Sequence, residues 1–228
     1  MKKVIVVSLG GSLIIPDKID VEFLESFKKV ILKNVGKYKF VIVCGGGKTA
    51  RNYINGLENQ KISRKRYLQS FLGISATKLN ARFMTYFFGK NSNKKIPKDM
   101  KGVKESLEKN NVVFCGALRY AGDQTSDSTS AKLARFLHSD FINMTNVDGL
   151  YDKNPRKFRS AKFIAEINHK DFLKMARKIE FHPGQHFVLD QTAAKIIKKY
   201  KIRTFILGSV KELNNLLNEG HFVGSIIG

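Results

Sequence analysis

The chain has 228 residues, and its 41 Lys and Arg against 19 Asp and Glu give a formal net charge of +22. A hydrophobic fraction of 43% with 17 Phe excludes wholesale disorder, and no run of 18 apolar residues exists to span a membrane. Cys44 and Cys115 form neither a disulfide framework nor a zinc pattern, and Val4 to Leu9 is too short for a signal-peptide core, so a cytoplasmic protein is the expectation.

The charge leaves three readings open: nucleic-acid binding, an enzyme for small polyanions, or a lysine-rich solvated surface. No acidic residue falls between Glu58 and Asp99, a stretch that holds ten basic ones.

Taken in order, the elements alternate. Val4 to Leu9 reads as a buried strand ending in Gly10-Gly11-Ser12. Asp20 is a candidate cap for a helix to about Asn34, with Phe23, Leu24, Phe27, Val30 and Ile31 at helical spacing. Phe40 to Cys44 is a second strand, apolar throughout as a parallel strand should be, and Gly45-Gly46-Gly47 leads into a helix from about Lys48. Leu68 to Phe88 is the longest helical candidate, with Leu68, Phe71, Leu72, Leu79, Phe83 and Phe87 on one side. Asn91 to Lys101 reads as a polar loop, Val112 to Cys115 as a strand, and Ser128 to Leu137 as a helix capped by Asp127. Phe141 to Thr145 is a strand followed by the turn Asn146-Val147-Asp148-Gly149. Thr192 to Tyr200 and Lys211 to Glu219 read as helices, and Thr204 to Leu207 and Phe222 to Ile227 as strands. This alternation predicts an α/β fold with a mainly parallel central sheet, with no linker to divide a single domain over 1–228.

Two glycine turns, Gly10-Gly11-Ser12 and Gly45-Gly46-Gly47-Lys48, each follow a strand. Glycine lets backbone approach a ligand closely, and a following helix offers unpaired N–H groups to an anion. Lys48 adds a full charge, and Arg51 reaches the same side. Neither turn fits the Walker or dinucleotide pattern, but both stand at strand carboxyl ends, where α/β proteins bind ligands. The segment Gly122 to Ser128 precedes a helix and reads either as a second anion site or as an ordinary cap. Asp190 before Thr192 reads first as a cap. The five histidines lack zinc spacing; Pro183-Gly184 breaks any helix between His182 and His186, which read as loop or surface residues. There is no G-x-S-x-G elbow, so the polar sites suit phosphates better than acyl chemistry.

As a set, Val41 to Ile54, Phe71 to Ala81, Thr145 to Tyr151 and Ala193 to Ile197 resemble the archaeal uridylate (UMP) kinases of the amino-acid-kinase superfamily. The resemblance runs from Val4 to Ile227 and implies a three-layer αβα sandwich, a homo-oligomer that is commonly a hexamer, and ATP-dependent conversion of UMP to UDP in pyrimidine biosynthesis. It implies that Gly11, Ser12, Gly47 and Arg51 lie near the ATP phosphates, and that Thr145, Asn146, Tyr151 and Asn154 hold the ATP nucleoside. Gly46, Ser70 and the loop Ala121, Gly122, Asp123, Gln124, Thr125 and Ser126 fall on the UMP side. Lys48 would supply charge, and Asp148 and Asp190 would organise the lysine and the metal–nucleotide complex. Mg²⁺ is implied with ATP, although no metal ligand is assigned. Five places depart from the family pattern: a lysine is often found where Ser8 stands, an aspartate where Ser70 stands, Thr-x-Pro-Gly at Tyr120 to Asp123, and Asp-Pro where Asn154-Pro155 and Asp190-Gln191 stand. A related kinase with another small acceptor, a non-catalytic nucleotide-binding assembly and a nucleic-acid binder stay open as alternatives; no helix-turn-helix, RRM or KH signature supports the last as a main role.

Overall fold

The computed structural model describes residues 2–119, 125–178 and 188–228. Its strands are β1 (Lys3–Leu9), β2 (Tyr38–Cys44), β3 (Val112–Cys115), β4 (Asp140–Met144), β5 (Leu150–Tyr151), β6 (Phe163–Ile164), β7 (Glu166–Ile167), β8 (Thr204–Leu207) and β9 (Ser225–Ile227). Its helices are α1 (Gly11–Ile14), α2 (Val21–Asn34), α3 (Gly47–Gly56), α4 (Lys65–Phe88), α5 (Met100–Lys109), α6 (Ser126–Phe136), α7 (His169–Arg177), α8 (Gln191–Tyr200) and α9 (Val210–Leu217).

Seven strands form one sheet in the order β3-β2-β1-β4-β8-β9-β7. Every pairing in it is parallel except β8 with β9, and β5 and β6 make a separate antiparallel pair. The expected αβα sandwich is present. Val6 packs on one face with α5, α6, α7 and α8. Ile5, Val7 and Leu9 pack on the other with α1, α2, α4 and α9. A strand covered on both faces has no solvent side, which is why β1 and β2 read as continuous apolar runs. Phe88 and Phe114 meet edge-to-face at 4.7 Å within the second of these cores. Truncating a fully buried Phe of this kind costs about 3–5 kcal/mol.

Strand register brings three glycine- or threonine-bearing exits together. Leu9 lies opposite Cys44 of β2 and Met144 of β4, so three neighbouring strands end at one level. Gly10, Gly45 and Thr145 leave them side by side.

Several boundaries differ from the sequence expectation. The polar stretch expected as a loop to Lys101 stops at Asp99, whose side chain accepts from the Gly102 N–H at 2.8 Å and starts α5. That helix buries only Val103 and Leu107, too sparse a pattern to stand out. Helix α7 has no counterpart among the expected elements; Asn168 caps it, and Phe172, Leu173 and Ala176 are buried. The cap of α6 is Thr125, not Asp127, through a reciprocal pair of hydrogen bonds with Ser128. The last strand begins at Ser225 rather than Phe222, whose ring packs edge-to-face on Phe205.

The apolar side of the longest helix also comes out differently. Leu68, Phe71 and Leu79 of α4 are exposed. The buried face carries Ile74, Ala76, Thr77, Asn80, Ala81, Met84 and Phe88. Small residues are buried there because α4 crosses close against the strand exits.

Candidate active site at the strand carboxyl ends

The two glycine turns interlock. A Cβ added at Gly11 would sit 2.0 Å from the Gly47 nitrogen, and one added at Gly45 would sit 2.4 Å from the Gly11 nitrogen. Real Cβ contacts are never so short, so the two backbones pass where only glycine fits. Gly47 has φ +61°, and its Cβ would strike the Gly11 carbonyl oxygen at 2.4 Å. Hydrogen bonds lock the crossing: the Gly45 N–H donates to Leu9 O, and the Lys48 N–H donates to Ile15 O. The buried Asn80 amide of α4 donates to Gly45 O at 2.7 Å.

Helix α3 starts at this crossing with no side-chain cap. Helices α6 and α8, by contrast, are capped by Thr125 and Asp190. With the Lys48 N–H taken by Ile15 O, the uncapped α3 has the Gly47 and Thr49 N–H groups of its first turn to offer an anion. Ser12 lies within α1 directly beside it. Lys48 and Arg51 lie on α3: the Lys48 ammonium is 3.3 Å from Asp17, and the Arg51 guanidinium donates to Pro16 O. The structure thus places Lys48 at the cradle, paired with neither Asp148 nor Asp190.

Across β1, two carboxylates come together where α6 and α8 begin. The fully buried Ser8 hydroxyl donates to Asp127 at 2.9 Å. The Thr125 hydroxyl donates to Asp190, whose other oxygen accepts from the Ala193 N–H at 2.8 Å. Burial pushes the Asp127 carboxyl up to about 7, with the Asp190 charge adding to the rise and the Ser8 hydrogen bond opposing it. Asp127 keeps part of its residue surface, yet its carboxyl rests against a side chain with no exposure, and that enclosure governs its protonation. In the sequence Asp127 reads only as a cap. Its signal is there nonetheless: Ser8 is a polar residue in an apolar strand, and such a hydroxyl needs a partner.

A third group follows β4. The Thr145 N–H donates to Leu207 O. Asn146 O accepts from Arg156 at 2.9 Å, and Asn154 accepts from the Arg156 N–H. Tyr151 stacks edge-to-face on Phe163 at 5.4 Å. Partial burial raises its phenol, and the Asp148 carboxylate beside it adds to the effect. Gly208 passes under this turn, with its would-be Cβ 2.8 Å from the Asp148 Cα.

On the remaining side, Gly46 faces Gly73 of α4, and Ser70 lies one turn earlier on that helix. Thr77 accepts from the Ala117 N–H at 2.9 Å, tying α4 to the exit of β3. Thr125 and Ser126 stand at the start of α6. Ala121, Gly122, Asp123 and Gln124, with Tyr120, lie outside the described residues, as do His182 and His186. Among the described residues, no three His, Cys, Asp or Glu side chains are grouped to cage a metal ion. No helix among them is long and apolar enough to cross a membrane.

Comparison with known proteins bears on this arrangement. Residues 3–208 match the amino acid kinase family. The chain is 34% identical to the uridylate kinase of Methanococcus aeolicus, over 98% of both chains. It is likewise 34% identical to that of Methanocaldococcus jannaschii, over 98% of both. The crystal structure of uridylate kinase from Archaeoglobus fulgidus superposes with a TM-score of 0.84 at 32% identity, covering 100% of each chain. By the family match over residues 3–208 and by these near full-length relatives, the chain belongs to the amino acid kinase family, on the branch of the uridylate kinases.

Proposed function

We propose that this protein transfers the γ-phosphoryl group of ATP to UMP, releasing ADP and UDP. The observation that carries the reading is the interlocked glycine crossing beneath the uncapped start of α3. Backbone donors fixed at that point suit a polyphosphate.

The chemistry asks little of a protein nucleophile. An oxygen of the UMP phosphate is already anionic and attacks the γ-phosphorus as the bond to the β-phosphate oxygen breaks, so no general base is required. Alignment and charge neutralisation do the rest. Gly11, Ser12, Gly47 and Arg51 line the ATP phosphates. Lys48 swings from Asp17 to the transferred group; an exposed pair of that kind contributes only about 0–1 kcal/mol and yields easily. Thr145, Asn146, Tyr151 and Asn154 hold the nucleoside, and Asp148 and Asp190 border the cleft. Gly46, Ser70 and residues 121–126 receive UMP. With no protein cage grouped among the described residues, Mg²⁺ would ride mainly on the nucleotide phosphates, as is usual for this ion, and neutralise their charge.

The reaction is tested by incubating purified protein with ATP, Mg²⁺ and each nucleoside monophosphate. UDP formed from UMP in preference to the other acceptors is expected. Turnover of another acceptor with no UDP from UMP would sink the reading.

The whole chain acts as one domain and assembles, on this reading, as a cytoplasmic homo-oligomer, a hexamer by resemblance. Support comes from the apolar stripe that α4 turns outward, where Phe71 is 52%, Leu79 60% and Tyr86 73% exposed. An outward stripe on a long helix fits a second copy of itself. Light scattering on wild type and Leu79→Asp tests this; a variant whose mass is unchanged removes α4 from the interface.

A further inference from the structure

Both faces of the sheet carry surplus positive charge. Helices α6, α7 and α8, on one face of the sheet, carry eight Lys and Arg and two Asp, and one of those, Asp127, is turned toward Ser8 in the cleft. Helices α2, α4 and α9, on the opposite face, carry eight basic and three acidic residues. A nucleotide site at the strand carboxyl ends does not account for the cations at the far ends of α6 and α8. The carboxyl ends of α6 and α8 lie at the other end of the sheet, one 10-residue helix and so about 15 Å away.

There, Arg135, Phe136, Lys199 and Tyr200 meet, with Lys201 and Arg203 just beyond. The Arg135 guanidinium stands 4.9 Å from the Tyr200 ring centre and the Lys199 ammonium 5.2 Å from it. Tyr200 is nonetheless 43% exposed and Phe136 42%. Among the described residues, no carboxylate lies within ion-pair distance of Arg135, Lys199 or Arg203. Asp140, the acidic residue at the start of β4, is taken by Lys3 at 2.6 Å. Arg135 does lie 3.3 Å from a ring nitrogen of His138, but solvent-facing aromatics set among cations that no carboxylate neutralises are the materials of a stacking platform with an electrostatic track.

We propose that this end of the α6–α8 layer binds single-stranded nucleic acid, with its phosphates on the cations and a base stacked on Tyr200. Salt-dependent binding without strong sequence preference follows, since every base has a π-face and each phosphate contact releases counterions.

The test uses the full chain and a fluorescein-labelled single strand of mixed sequence, followed by anisotropy over a salt series. Wild type binds, with affinity falling log-linearly in salt. Tyr200→Ala removes no charge yet weakens binding at least about fivefold, and Tyr200→Phe restores it. The double variant Lys198→Glu, Lys199→Glu weakens binding at least about tenfold, with a shallower salt slope. Lys29→Glu with Lys33→Glu makes the same charge change on exposed α2 positions and leaves affinity within about twofold. Thermal unfolding of each variant checks that it folds. The proposal is overturned if Tyr200→Ala binds like wild type, if the α2 pair loses as much as the α8 pair, or if duplex binds more tightly than single strand. Capture by vesicles of anionic lipid with no oligonucleotide binding overturns it as well.

Discussion

The phosphate side of the cleft and the α4 shoulder opposite it are built from different materials. On the phosphate side the contacts are backbone on backbone: Gly11 against Gly47, Gly45 against Gly11, and Gly208 against the Val147–Asp148 turn. On the shoulder, apart from the close pass of Gly116 against the Thr77–Lys78 backbone, they are side chain on side chain or side chain on backbone, as where Gln69 reaches Ile54 O and Glu58. A side chain can change rotamer and a surface helix can shift by a fraction of an ångström. Two crossed backbones held between buried strands can do neither. Substitutions should therefore be punished steeply on one side of the cleft and mildly on the other.

Gly11→Ala is the harshest test of that difference. Its methyl group would meet the Gly47 nitrogen at 2.0 Å, so one turn must move. Overpacking of this kind costs about 1–3 kcal/mol or more, and the displaced donors should remove ATP binding. Gly56→Ala is the counterpart at the end of α3, where an added Cβ meets nothing within 4 Å. It should melt at or slightly above wild type and keep its activity. If Gly11→Ala binds ATP as tightly as wild type by calorimetry, the crossing is not the phosphate cradle.

Lys48→Ala carries the second-largest expected effect. Removing one charged donor from a phosphoryl-transfer site is expected to lower kcat about 10²–10³-fold, with little change in melting temperature. Asp17→Ala, which removes only the exposed partner of Lys48, should change kcat by less than about fivefold. Equal losses in the two variants would make the pair, not the free ammonium, the functional unit.

The contrast between the two sides also explains which parts of the molecule are legible in the sequence. Strands β1, β2 and β4 are readable because burial on both faces leaves an uninterrupted apolar run, and the cradle because glycine repeats at strand exits have few other uses. The outward stripe of α4 misleads, since periodicity locates an apolar face without saying whether the chain's own core covers it. Helices α5 and α7 escape because short, lysine-rich segments with two or three buried residues look like loop. The Asp127–Asp190 pair escapes because its members are 63 positions apart, and only the packing of α6 against α8 on β1 joins them. Each aspartate alone has a complete explanation as a helix-end residue.

That pair supplies the finest test, since it asks whether a side chain can be as constrained as backbone on the phosphate side. Asp127 binds its proton more tightly in the folded chain, where it titrates near 7, than in the unfolded chain, near 3.8. Its stabilising proton is thus fully present below about pH 4 and is lost as the pH rises to about 7. Asp127→Asn keeps the shape of the protonated form and does not titrate. The melting temperature of wild type relative to this variant should therefore fall steadily between about pH 4 and 7 and stay level above. Ser8→Ala removes the hydrogen bond that favours the charged carboxylate, so it should extend the falling window to higher pH. A difference between wild type and Asp127→Asn that is constant across this range would show that the carboxyl is solvated, and that the cage around the cradle ends at its backbone.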